Sequence, residues 1–118
     1  EENGRIMKQG EYKAEKKQGK WIYYDNGQKE SERSYNEGER HGLSIEWGKD
    51  GNTLRSIVNY KDGEMHGLGE EYGLDGDVDE VGQYQNGKRD GEGKIYANGE
   101  VWKIETYLKG EYILTRFP

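Results

Sequence analysis

Residues 82–99 read GQYQNGKRDGEGKIYANG, and the spacing of glycine and tyrosine in that stretch decides the fold. A phosphate-cradling loop, a flexible linker and one copy of a repeat would all be rich in glycine. Only a repeat requires the same spacing elsewhere. Counting back from Gly99 meets Gly76, Gly51, Gly27 and Gly4, at intervals of 23 to 25 residues. The tyrosines keep step at Tyr12, Tyr35, Tyr60, Tyr84 and Tyr107. A second glycine series is Gly38, Gly63, Gly87 and Gly110, with Glu15 in the first copy. A third is Gly19, Gly42, Gly67 and Gly91, and a second aromatic series is Tyr24, Trp47, Tyr72 and Tyr96. Five series sharing one period place the chain among repeat architectures.

One unit reads G-x7-Y-x2-G-x3-G-x4-[YW]-x3-G, with one residue of slippage, in about four and a half copies. Each unit holds two runs separated by turns. One turn series reads NEG (36–38), KDG (61–63), QNG (85–87) and LKG (108–110). The other reads DNG (25–27), KDG (49–51), LDG (74–76) and ANG (97–99). Asn-Gly and Asp-Gly favour two-residue hairpin turns, because those turns need positive φ. The runs between them are short enough for strands and too short for helices. Proline is absent before Pro118, which suits uninterrupted ladders. The expected fold is all-β: tandem hairpins forming an open, twisted, single-layer antiparallel sheet of about nine strands, one domain over residues 1–118.

Composition agrees with a thin ordered sheet. The 118 residues are only 30% hydrophobic, with a mean hydropathy of −1.31, yet 12% are aromatic. Disordered chains are poor in aromatics. Alternation assigns faces: Leu43, Ile45 and Trp47 share one, and Ser44 and Glu46 the other. Leu68, Glu70 and Tyr72 are the parallel positions. Tyr60, Val58, Ser56 and Leu54 are expected together, and Val101 in parity with Tyr107. Stacking in register then predicts two aromatic ladders held by cross-strand ring contacts.

NGQKESERSYNEGERHGLSIEW (26–47) carries a family resemblance. This unit resembles MORN repeats, and its eight-residue step from Gly27 to Tyr35 resembles the bacterial variant grouped with YwqK-like antitoxin or immunity proteins. NGKRDGEGKIYANGE (86–100) also resembles the eukaryotic-style MORN consensus. The resemblance spans residues 3–112. Glu15 departs from it by replacing a glycine, and the copy starting at Gly51 is one residue longer. The resemblance implies a non-enzymatic protein-binding scaffold, an antitoxin that neutralises a bacterial toxin by direct binding. The alternative it implies is a membrane or scaffold adaptor. The expected compartment is the bacterial cytoplasm, or, because the chain begins at Glu1, an exported mature form.

The chemistry-bearing residues point to binding rather than catalysis. Cysteine is absent, which removes disulfides, thiolate nucleophiles and Cys-zinc sites. No apolar run is long enough for a membrane helix or a signal core. His41 and His66 occupy a slot that holds Gln18 and Asp90 in other copies, an unsuitable place for a catalytic base. No G-x-S-x-G or G-x4-G-K-[ST] order occurs. DGDVDE (75–80) spaces Asp75, Asp77 and Asp79 as a calcium loop would, but Glu80 stands where glycine is needed and Asn86 where glutamate is. It reads as a hairpin turn, so no cofactor and no metal is expected.

Charge is uneven. Residues 1–59 hold 11 basic and 11 acidic residues, whereas residues 60–118 hold 7 and 13. Between Asp62 and Gly87 there is no Lys or Arg. The acids there include Asp62, Glu64, Glu70, Asp75, Asp77, Asp79 and Glu80. They suggest a zone that steers a basic protein partner such as a toxin, with Trp21, Tyr23 and Trp47 as aromatic anchors. Glu70 and Glu71 must point to opposite faces, so only part of that zone can form one patch. Lys13, Lys16, Lys17 and Lys20 are interleaved with Glu11 and Glu15, too sparse for nucleic acid and unfavourable for an anionic membrane. Uncapped end strands also predict an edge-to-edge homodimer.

Overall fold

The computed structural model describes residues 7–118, which form one antiparallel sheet. The strands are β1 (Lys8–Lys13), β2 (Lys16–Asp25), β3 (Gln28–Asn36), β4 (Glu39–Trp47), β5 (Leu54–Lys61), β6 (Glu64–Tyr72), β7 (Val78–Gln85), β8 (Lys88–Arg89), β9 (Gly91–Ala97), β10 (Glu100–Leu108) and β11 (Glu111–Arg116). Apart from β8 and β9, which both pair with β7, each pairs with its neighbour in the chain, so the sheet is a meander without crossovers. Its extents are 51 × 32 × 15 Å, and the last is the thickness of a single layer. Hairpins in register are therefore what the chain forms, with eleven strands rather than about nine. β8 and β9 are one strand position interrupted at Asp90, and a complete hairpin, β10–β11, closes the series.

Turn chemistry explains most connections. Glu37-Gly38, Asp62-Gly63, Asn86-Gly87, Asn98-Gly99 and Lys109-Gly110 have positive φ at both residues, as a type I′ turn demands. Ala14-Glu15 does the same without glycine, at φ 51° and 67°. Two turns depart from expectation. KDG (49–51) and LDG (74–76) lie in longer loops, closed by Gly48 N–H to Thr53 O at 2.8 Å and Gly73 N–H to Asp77 O at 2.9 Å. In these loops Asp50 and Asp75 cap the following amides instead of entering the left-handed region.

Regular bulges control the faces. Gly19, Gly42, Gly67 and Gly91 mark places where the strand carries extra residues, as when Arg33 faces Ser44 but Tyr35 faces Arg40. A second series adds one residue at Glu30, Arg55, Asp79 and Trp102. Trp47 thus faces Leu54, and Tyr96 faces Val101. Leu54 and Val101 accordingly leave the face of Tyr60 and Tyr107, which corrects the simple parity argument. The tyrosines Tyr12, Tyr35, Tyr60, Tyr84 and Tyr107 line one face, here the spine face. Tyr24, Trp47, Tyr72 and Tyr96 fall on the other, the open face, together with Leu43 and Leu68 in register with Asn59 and Gln83.

The core is as thin as the composition suggests. Among the described residues the buried apolar side chains are Trp21 and Ile104, and the buried polar ones Ser31 and Ser44. Trp21 is 2% exposed. It donates its indole N–H to the Glu11 carbonyl at 3.0 Å and meets the edge of Tyr12 at 4.9 Å. Gly10 faces its ring so closely that any Cβ there would overlap the indole.

Candidate binding surfaces

Tyr12, Tyr35, Tyr60, Tyr84 and Tyr107 do not touch one another from hairpin to hairpin. They are two strands apart, roughly 9–10 Å, too far for ring contact. The register sets Tyr12 opposite Lys17, Tyr35 opposite Arg40, Tyr60 opposite Met65 and Tyr84 opposite Arg89. Each cation then reaches the tyrosine of the next hairpin. Lys17 Nζ lies 5.1 Å from the Tyr35 ring centre, the Arg40 guanidinium 4.0 Å from Tyr60, and that of Arg89 4.7 Å from Tyr107. Cohesion along this face is therefore an alternation of rings and cations, not the expected ladder of rings. Arg89 is fixed further by Glu80 Oε2 at 2.7 Å, and it lies over Gly82 and Gly93, where a Cβ would collide with it.

Tyr23 joins the first two hairpins at the same place. Lys17 Nζ donates to its hydroxyl at 2.8 Å, and the Tyr23 and Tyr35 hydroxyls are 2.9 Å apart. The bond to Tyr23 holds Lys17 above the ordinary lysine pKa. Burial raises Tyr23. Burial also pushes Tyr35 upward, but its bond with Tyr23 and the charges of Lys17 and Arg33 outweigh that and lower it.

A second joint recurs at the hairpin tips. Gly38 N–H donates to the Lys17 carbonyl, Gly63 to Arg40, Gly87 to Met65 and Gly110 to Arg89, at 2.7–3.0 Å. Beside it, the amide of the preceding turn residue meets a side-chain acceptor of the earlier hairpin. Glu37 N–H bonds Gln18 at 2.9 Å, Asp62 N–H bonds His41 Nδ1 at 3.3 Å, and Lys109 N–H bonds Asp90 at 3.4 Å. This explains why Gln18, His41 and Asp90 interchange in one slot: the slot needs an acceptor. His41 thus serves as a turn clasp, its Nδ1 also 3.8 Å from Asp62 Oδ1.

The expected site residues are not gathered into one patch. Trp21 is in the core, so it is corrected from a partner-facing anchor to a packing residue. Tyr23 belongs to the spine face and Trp47 to the open face, where Lys29 Nζ stands 5.4 Å over its ring. Asp62 and Glu64 sit at the β5–β6 tip, Asp75 and Asp77 at the opposite end of the strands. Glu70 faces Val81 on the open face and takes the Tyr72 hydroxyl at 2.5 Å. Glu80 is on the spine face, engaged by Arg89. Asp79 and Asp75 approach each other around Gly73. No group of three or more His, Cys, Asp or Glu side chains able to hold a metal ion occurs among the described residues.

The open face presents something the sequence reading left aside. Leu43 is 48% and Leu68 50% exposed, one residue after the bulge glycine in successive hairpins. Ile45 faces Ile57 in the adjoining row, which continues through Glu70 to Val81. The signal was legible as an apolar residue after Gly42 and Gly67. The cation series was legible too, two residues before Gly19, Gly42 and Gly91, with Met65 before Gly67.

The sequence model of the MORN repeat matches residues 59–78 and 81–101. The third and fourth hairpins are thus similar to MORN repeats, and the hairpins on either side repeat their geometry. No curated protein matches the chain.

Proposed function

We propose that the chain is a non-enzymatic protein-binding scaffold whose docking surface is the open face. The carrying observation is that Leu43 and Leu68 stand half exposed in the same slot of adjacent hairpins, beside the Ile45–Ile57 pair. Among the described residues no second sheet covers them. Repeated apolar positions on a rigid surface suit the central contacts of an interface. The partner is a basic protein. Glu70 lies within this surface, and Asp62, Glu64, Asp75 and Asp77 border its two ends, so the field favours a cationic approach. With the likeness of residues 26–47 to bacterial MORN variants, this supports an antitoxin or immunity protein that occludes a toxin's active surface.

Co-expression with the toxin encoded beside it is the direct experiment. The expected result is a co-purifying complex and loss of toxicity, both weakened by Leu43→Glu with Leu68→Glu. A toxin that stays fully active beside the folded wild-type chain would refute the proposal.

A further inference from the structure

Exposed large apolar residues are most numerous on the last two strands and just after them. Trp102, Leu108, Tyr112, Ile113, Leu114 and Phe117 are all among them, with Tyr112 at 54% and Phe117 at 66%. β11 pairs with β10 on one side, and among the described residues nothing pairs with its other side. A bare strand edge carrying that much apolar surface is a template for another strand.

The chain's own joints disfavour one occupant. A β1 from a second copy, added as a further repeat, would have to reproduce the tip joint. Its Ala14 amide would find Ile113, which has no side-chain acceptor, in the slot where Gln18, His41 and Asp90 accept from the turn amide. Glu111 occupies the position from which Lys16, Glu39, Glu64 and Lys88 pack against Gly38, Gly63, Gly87 and Gly110. Opposite it would stand Glu15, where the other tips have glycine, bringing two carboxylates together. Head-to-tail growth is thus opposed at both contacts.

A second β11 meets no such obstacle. Read antiparallel against itself about the midpoint of Ile113 and Leu114, EYILTR is self-complementary. Glu111 faces Arg116, Tyr112 faces Thr115, and Ile113 faces Leu114. Opposite charges, an aromatic with a β-branched residue, and two aliphatics are each favourable cross-strand pairs. Ile113 is the extra residue in the β10–β11 register. In this arrangement it falls at the two-fold axis, between two regular arms, where it meets aliphatic surface. Arg116 already binds Glu92 at 2.8 Å, and its guanidinium has donors left for a second carboxylate. We propose that two copies of this chain pair through β11 in that two-fold register, joining their sheets into one and closing the association at a dimer.

Sedimentation equilibrium on the 118-residue chain tests this, over roughly 1–500 µM, the range in which a small interface associates. The expected result is a monomer–dimer equilibrium with no larger species. Glu111→Arg and Arg116→Glu each set like charges opposite one another twice per dimer, and each should weaken association about tenfold or more. The double variant restores opposite charges and should restore the dimer. Circular dichroism checks that each variant folds, and Lys13→Glu on β1 should leave association unchanged. A monomer throughout, an open series of oligomers, a dimer indifferent to Glu111→Arg, or a folded double variant that stays monomeric would each overturn the proposal.

Discussion

At the joint between the first two hairpins, Lys17 lies among the rings of Trp21, Tyr23 and Tyr35 and donates to a tyrosine hydroxyl. At the joint between the third and fourth, Met65 faces Tyr60 from the same slot, and glycines Gly69 and Gly82 face each other where Trp21 faces Arg33. The backbone joint is the same in both: Gly38 N–H to the Lys17 carbonyl, Gly87 N–H to that of Met65. The contrast teaches that the tip joint and register define the repeat, while the side chains on the spine face set how strongly each pair of hairpins coheres.

Replacing Trp21 breaks the comparison hardest. Trp21→Ala removes the most buried aromatic and its bond to Glu11, and should cost about 3–5 kcal/mol in denaturant unfolding. Trp102→Ala, at an exposed site, should stay within about 0.5 kcal/mol. Arg89→Met comes next. It turns the fourth joint into a copy of the third, removes the ring contacts and leaves Glu80 without its cation. The expected loss in the same assay is about 1–3 kcal/mol. Met65→Arg is the reciprocal change. It places a cation between Tyr60 and Tyr84 and should stabilise by about 0.5–1 kcal/mol.

The smallest effect belongs to the loop at Asp50. The side-chain hydroxyl of Thr53 and the amides of Thr53 and Asn52 hold this carboxyl at about 2, below the ordinary aspartate value. A depressed folded pKa contributes stability above the unfolded value near 3.9, lost as pH falls through about 2. Thr53→Val should raise the Asp50 pKa toward its ordinary value in an NMR titration and lower the unfolding midpoint slightly at pH 7, a difference that fades as pH falls through about 2.

The same contrast marks where sequence reading stops. The period, the hairpins and the single layer were legible because turn chemistry is local: Asn86-Gly87 reads as a turn wherever it occurs. The spine was half legible. The tyrosine spacing is in the sequence, but the two-strand separation that bars ring contact belongs to the sheet. The single-residue bulges at Arg55, Asp79 and Trp102 were invisible, since no shared residue type marks them, and each one flips the strand beyond it. The same cause placed Trp21 wrongly, because nothing local says that Gly10 will lie over its ring. The acids from Asp62 to Glu80 share one stretch of chain without Lys or Arg, yet the meander distributes them between two faces and two ends.

Hydrogen exchange of the tip amides tests the repeat-to-repeat joint most directly. Gly38, Gly63, Gly87 and Gly110 lie in exposed turns, yet each amide is bonded to the hairpin before it. Glu15 occupies the same turn position, and among the described residues no hairpin precedes it. The four glycine amides should exchange far more slowly than the Glu15 amide in dilute solution. Exchange at Gly38, Gly63, Gly87 and Gly110 as fast as at Glu15 would contradict the account.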